Sequence, residues 1–439
     1  MIAPARTAAY EVLRAVGTGR ADLGSALARV RSGLKDERDR ALASEIATGT
    51  LRWQGAFDHV IALFSKRSLK RLDPEVLDIL RLTMFQVLYL DRIPASAAVK
   101  DAVDLTGKVG KRSAAGLVNA LLRRVTRERD RLPLPAAPAD RANRAAAIEY
   151  LSITLSHPSW LVSRWLDRHG FDNAEAWTRF NNSPAPLTLR ANTLKIGRDE
   201  LEARLRGSGV ECEKAAHAPD ALIVRHGNPL TTPLHEQGLF VVQDEASQRV
   251  GAFAGAKPGE RVLDACASPG GKTIAMAAAM QGRGLIIASD VRGRRVRLLR
   301  ESVARSGASN VVIVQADAAR GLPFGREFDR VLLDAPCSGL GTVRRDPDIK
   351  WRRSETDLPV FAAAQVRMLA EAAKVLRDDG VLIYSTCSSE PEENEDVVRT
   401  FIDGGGGFRV EGEPLRTLPF RDGLEAFFAA ILVRTKDLR

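Results

Sequence analysis

Apolar and polar positions follow two different rhythms along this chain. From residue 4 to 131 the apolar residues recur at helical spacing, as in AAYEVLRAV and PEVLDILRLTMFQVLYL, and Pro74 suits a first helical turn. No period-two alternation interrupts them, which predicts an all-α domain over 1–132. PLPAAPAD (133–140) predicts a linker spanning 133–144. Beyond it SHPSWLVSRWLDRHG and AEAWTRF predict helix, APLTLRANTLK (185–195) and ALIVRHG predict strands, and RDELEARLRGSG predicts a helix closed by Gly207 or Gly209. Together they make a small α+β module over 145–238. Its tryptophans, Trp160, Trp165 and Trp177, are expected in a core rather than as base-stacking platforms.

From Gly238 onward the rhythm changes to repeated strand and helix units. RVLDAC (261–266), GLIIASD (284–290), NVVIVQAD (310–317), FDRVLLDAPC (328–337) and GVLIYSTC (380–387) are apolar runs that end in Asp or Cys. Helical segments such as GGKTIAMAAAM and RRVRLLRESVARSG lie between most of them. The alternation predicts an α/β fold over 239–439, a doubly wound and mostly parallel sheet. FRVE (408–411) and AFFAAILVR (426–434) would finish it with a hairpin. The polar run-ends then share the carboxyl edge, where open α/β sheets place their ligands.

Charge adds a partner to this picture. The formal net charge is +10, and residues 1–131 hold 24 Lys and Arg against 15 Asp and Glu. A nucleic acid is the expected partner. Arg123, Arg124, Arg127, Arg129 and Arg131 would cover much of an exposed helical face and grip phosphates. They would equally suit a solvated helix end. The N-terminus lacks the apolar core of a signal peptide and no run reaches membrane-spanning length, so a cytoplasmic protein without a membrane partner is expected. Cys212, Cys266, Cys337 and Cys387 form no C-x-x-C pair, which argues against a metal site and a disulfide framework.

The candidate chemistry lies on that carboxyl edge. DACASPGGKT (264–273) is a strand-to-helix turn in which Gly270 and Gly271 let the backbone approach a ligand. It is not a phosphate-binding P-loop, because position 266 is Cys, and it lacks the dinucleotide pattern. A nucleoside ligand without pyrophosphate fits, and S-adenosylmethionine is one. Asp290, twenty residues beyond Gly270, is spaced to take ribose hydroxyls, and Asp317 to reach an adenine amino group. Cys337 and Cys387 follow adjacent strands and converge on one pocket. A thiolate adding to carbon 6 of a cytosine makes carbon 5 nucleophilic enough to take a sulfonium methyl. Asp334 is placed to offset the charge developing on the ring.

DACASPGGKT, DAPCSGLGTVRRDPDIKW and STCSSEPEENE together resemble the RNA cytosine carbon-5 methyltransferases of the Sun/RsmB type, and RANTLK and LFVVQDEASQ resemble their flanking signatures. The basic N-terminus resembles the NusB-like RNA-binding domain of the bacterial ribosomal branch. The resemblance implies a class I methyltransferase fold, S-adenosylmethionine as cofactor, small-subunit ribosomal RNA as partner and a monomer. It implies Cys387 as nucleophile and Cys337 as the thiol assisting product release. Cofactor contacts would fall on Cys266, Ala267, Ser268, Pro269, Gly270, Gly271 and Lys272, with Asp290, Asp317 and Asp334. Ser268, Ser302 and the long DGLEAFFAA segment depart from the usual pattern. Two rivals stand beside this expectation: a DNA cytosine methyltransferase using Cys337 as nucleophile, and a non-catalytic RNA-binding assembly factor.

Overall fold

In the computed structural model, which describes residues 2–405 and 407–435, helices run from Pro4–Gly17 to Ser159–Asn182 with no strand among them. Their apolar faces close on one core built from residues such as Leu13, Ile46, Phe57, Ile79 and Leu122. Pro74 opens its helix as the pattern predicts, and Asp22 caps another by accepting from the Ser25 N–H. The basic stretch 108–131 is not a single helix. Ala95–Lys108 ends before Gly110, whose φ of +76° is left-handed, and a new helix runs over Ala115–Arg127. Arg129 and Arg131 therefore sit in a separate 3-10 turn. Arg124 lies over the Phe64 ring at 3.9 Å, which leaves Arg123 and Arg127 as the exposed cations of this helix.

The helical unit extends past the expected linker to Pro184. The linker is laid down rather than free: the Pro133 carbonyl pairs with the His59 ring at 3.1 Å, and the Thr154 hydroxyl donates to the Pro135 carbonyl at 2.6 Å. Trp165 and Trp177 stack at 4.6 Å in full burial, and Trp160 is half-buried. The unit also takes back Val343–Glu355, the second half of the DAPCSGLGTVRRDPDIKW stretch. There the Trp351 indole N–H donates to the Leu51 carbonyl at 2.6 Å, the Lys350 ammonium donates to the Arg52 carbonyl at 2.9 Å, and Asp348 accepts from the Leu23 N–H. The sequence stretch is continuous, and its two halves belong to different units.

The second unit, Ala185–Thr342 with the chain from Thr356 onward, holds two sheets. The smaller is antiparallel, with β1 (Thr188–Ala191), β2 (Glu211–Lys214), β3 (Ala221–His226) and β4 (Phe240–Val242) in the order β2-β3-β1-β4. The larger contains β5 (Arg261–Asp264), β6 (Leu285–Asp290), β7 (Val311–Gln315), β8 (Phe328–Asp334), β9 (Leu376–Thr386), β10 (Phe408–Thr417) and β11 (Phe427–Arg434), in the order β10-β11-β9-β8-β5-β6-β7. Its strands β9-β8-β5-β6-β7 are parallel, and the last two pair as the expected antiparallel hairpin. β7 stops at Gln315, so Asp317 lies in the following turn and not at a strand end. The final four positions of the expected domain, 436–439, lie outside the described residues.

Candidate active site

β8 and β9 run side by side with Asp334 in register with Ser385, and the loops leaving them carry the two thiols. Cys337 Sγ and Cys387 Sγ stand 3.3 Å apart. The loops can approach this closely because Gly341 lies against the backbone at Ala426 and Cys387: a β-carbon there would meet the Ala426 carbonyl oxygen at 1.9 Å. The Gly341 N–H donates to the Cys387 carbonyl at 2.9 Å and fixes the contact. Both cysteines are half-buried. The Cys337 thiol is held well above its usual range, first by its hydrogen bond with Cys387, then by burial and by the charges of Cys387 and Glu393.

Asp334 is held from two sides. The Ser385 hydroxyl donates to Oδ1 at 2.8 Å, and the Lys272 ammonium pairs with Oδ2 at 2.7 Å. Burial draws the Lys272 pKa down, but the Asp334 carboxylate outweighs it and the ammonium stays above its ordinary value. Lys272 also lies 5.7 Å from the centre of the Phe427 ring. The site therefore joins a carboxylate, a fixed cation and a pair of thiols across three strand ends.

The expected cofactor loop wraps the end of β5. The Ala267 N–H donates to the Ser289 carbonyl, and Gly270 takes a φ of +105° with Leu299 and Ser302 against its open face. Ser302, one of the departures, thus borders the glycine turn. Ser268, another of them, uses its hydroxyl on the Arg295 carbonyl at 2.9 Å. Asp290 ends β6 and accepts from the Arg292 N–H and, at 2.9 Å, from Arg295 Nε. Asp317 accepts from the Ala319 N–H in its turn. Cys266 packs among apolar side chains, and burial followed by the neighbouring carboxylates raises its thiol, so it stays protonated and inert.

Three contributors escaped the sequence pattern. Asp264 is fully buried at the end of β5, takes the Thr273 hydroxyl on Oδ2, and leaves Oδ1 without a partner. Burial pushes its carboxyl up to about 7. Its place at the end of an apolar run was the available signal. Glu393, inside the acidic run EPEENE, is fully buried and collects donors from both thiol loops. Arg190, on β1, reaches the Gly271 carbonyl at 2.8 Å and the Gln243 side chain, bracing the start of the helix Gly271–Ala279. An unsatisfied buried carboxyl oxygen, a glycine cradle and a helix N-terminus fit a nucleoside cofactor carrying an amino group.

Comparison with known proteins gives the chain its relatives. Residues 254–433 match the family model described as 16S rRNA methyltransferase RsmB/F, 3–127 match the NusB family, and 157–231 match the ferredoxin-like domain of RsmF/B-like methyltransferases. The chain is 35% identical over 392 residues to a probable ribosomal RNA small subunit methyltransferase B of Bacillus subtilis, covering 89% of this chain and 86% of the relative. It is 35% identical over 407 residues to ribosomal RNA small subunit methyltransferase B of Pseudomonas putida, covering 92% and 90%. Among solved structures, PH0851 superposes with a TM-score of 0.83 at 26% identity over 99% of both chains. A methyltransferase homolog protein from Pyrococcus horikoshii superposes with a TM-score of 0.58 at 29% identity, over 66% of this chain and 99% of that one.

Proposed function

The chain belongs to the RsmB/F family of 16S rRNA methyltransferases, and from that premise we propose that it methylates carbon 5 of a cytosine in small-subunit ribosomal RNA through a covalent adduct on Cys387. The observation that carries the proposal is the 3.3 Å pair of thiols beside the Lys272–Asp334 ion pair. S-adenosylmethionine supplies the electrophile, a methyl group on a positively charged sulfur. Cys387 forms a bond to carbon 6 of the flipped-out base, and the ring electrons move to carbon 5. Asp334 accepts from the cytosine amino group while Lys272, across the carboxylate, offsets the charge gathering on the ring. Once Cys387 is bonded to carbon 6, Cys337 gives up its own proton to solvent and takes the carbon-5 proton, and the bond between Cys387 and carbon 6 breaks, its electron pair returning to the Cys387 sulfur to release the methylated base. Asp264 and the Cys266–Lys272 loop hold the cofactor, with Asp290 on the ribose and Asp317 toward the adenine. The proposal includes action as a monomer in the cytoplasm; no helix among the described residues is long and apolar enough to cross a membrane.

The test is transfer from labelled S-adenosylmethionine to small-subunit ribosomal RNA by wild type, Cys387→Ala and Cys337→Ala, with nucleoside analysis and denaturing gels. Expected are 5-methylcytidine from wild type, none from Cys387→Ala, and a protein–RNA adduct retained by Cys337→Ala. An adduct from Cys387→Ala with transfer lost in Cys337→Ala reverses the thiol roles, as in DNA cytosine methyltransferases. RNA binding without transfer by wild type leaves an assembly factor.

A further inference from the structure

Two identical side chains 3.3 Å apart cannot divide the work of nucleophile and proton carrier unless their surroundings differ. The difference is Glu393. It sits in the 3-10 turn Pro391–Glu393, fully buried, although its sequence neighbours suggest a solvated acidic run. Oε1 accepts from the Ser338 N–H at 2.8 Å and from the Gln365 amide at 3.1 Å. Oε2 accepts from the hydroxyls of Ser338 and Ser388. Ser338 follows Cys337 and Ser388 follows Cys387, so one carboxylate ties together the residues behind both thiols. The Tyr384 hydroxyl donates to the Glu393 carbonyl and anchors the turn itself.

A neutral side chain could join two hydroxyls without the cost of burying a charge. What a carboxylate adds is an electric field, and here the field is lopsided. Glu393 accepts from both the N–H and the hydroxyl of Ser338, the residue next to Cys337, and its charge opposes the ionisation of that thiol. The Lys272 ammonium is the cation that responds to Cys387, and it is itself paired with Asp334. The proton is therefore costly to remove from Cys337, and its S–H is left to donate to the Cys387 sulfur.

We infer that Glu393 is a positioning residue that keeps the two thiols in separate roles, tying their loops together through Ser338 and Ser388 and holding the proton on Cys337 so that the thiolate forms at Cys387. The inference rests on the two-thiol proposal above, and it can be read without RNA. The full-length protein is treated with limiting iodoacetamide near neutral pH, and alkylation of each cysteine is measured by peptide mapping. Wild type should label Cys387 in preference to Cys337, and Glu393→Gln should lower that ratio by about tenfold, one unit of relative ionisation. Half-buried Cys212, on β2, is the internal reference: equal labelling in both proteins reports an intact fold. Ser388→Ala severs the link to the Cys387 loop while the other three donors stay on the carboxylate. It should keep the labelling preference and lower kcat for methyl transfer. A Glu393→Gln protein with the wild-type ratio overturns the inference. Where that variant does not fold, loss of preference in Ser388→Ala overturns it instead, because the charge is still present there. Failure of the cytosine assignment would be seen in the nucleoside product and leaves the labelling ratio unchanged.

Discussion

Each unit holds a cluster of buried charged groups, and the two clusters differ in how they are closed. In the helical unit Arg81 meets Asp58 in two parallel bonds at 2.7 Å and Asp78 at 3.4 Å, while Arg14 meets Asp78 at 2.9 Å and Glu75 at 3.3 Å. Arg6 is closed by Asp101 and Gln86. In the methyltransferase unit carboxylates crowd around a single lysine, and Asp264 keeps one oxygen unpartnered. A closed network fixes a shape. An open one reserves bonding capacity for something that arrives. Partner count, more than burial, separates these two clusters.

The sharpest break between the units is expected at Cys387. Cys387→Ala should bring methyl transfer below detection, with unfolding stability changed by less than about 1 kcal/mol, because a half-buried thiol at the edge of a small core cluster contributes little. Parallel radiolabel and urea-unfolding measurements check both halves. Asp78→Ala should do the reverse. Arg14 and Arg81 would each lose a partner in a buried network, destabilising the protein by about 3 kcal/mol. Methyl transfer per folded molecule should stay at the wild-type level, and a lower urea midpoint with unchanged specific activity is the expected pair of readings.

A smaller effect tests the open side of the comparison through pH. The Asp264 carboxyl is raised by burial to about 7, so between its ordinary range and about 7 the folded protein holds a proton that the unfolded chain has released. That contribution favours folding at low pH and is lost as pH rises through about 7. Without cofactor, Asp264→Asn should flatten this part of the melting-temperature profile and raise stability above pH 7, since the amide oxygen can still accept from Thr273. Its cofactor affinity should fall, read by isothermal titration. A wild-type slope retained in the variant would assign the pH dependence to other groups.

How much of this was legible depended on whether a residue's role followed from its neighbours in sequence. The doubly wound sheet and the terminal hairpin follow from apolar runs broken by helices, and the Cys337–Cys387 pairing follows from thiols at the ends of adjacent strands. Glu393 was hidden because an acidic run reads as solvated until tertiary packing brings Ser338, Ser388 and Gln365 over it. Arg190 was hidden because its acceptor, the Gly271 carbonyl, is far away in sequence. The chain's departure after Thr342 into the helical unit has no local signal either, since DPDIKW fits a strand-edge loop as well as an excursion.

The helical unit's exposed charge gives the smallest expected effect, and it tests whether this unit is only a closed structure. The helices Ala95–Lys108 and Ala115–Arg127 border a groove of about 770 Å³ lined by Ser96, Lys100, Asn119, Arg123, Thr126 and Arg127, with Asp104 as its acid. Arg127 shares Glu128 with Arg124, whereas no ion pair is found for Lys100 or Arg123 among the described residues. These two cations stand apart from the arginines closed in buried networks. If the groove meets the phosphates of the substrate RNA, each of Lys100→Ala and Arg123→Ala should weaken RNA binding several-fold. Each should also reduce the slope of log affinity against log salt by about 0.7 to 0.9, the counterion release of one phosphate contact. Arg81 and Arg14 spend their charge on carboxylates, so lysine or glutamine in their place should change stability and leave that salt slope alone. Equal salt slopes for wild type, Lys100→Ala and Arg123→Ala would place the RNA contacts elsewhere and leave the groove as a solvated surface.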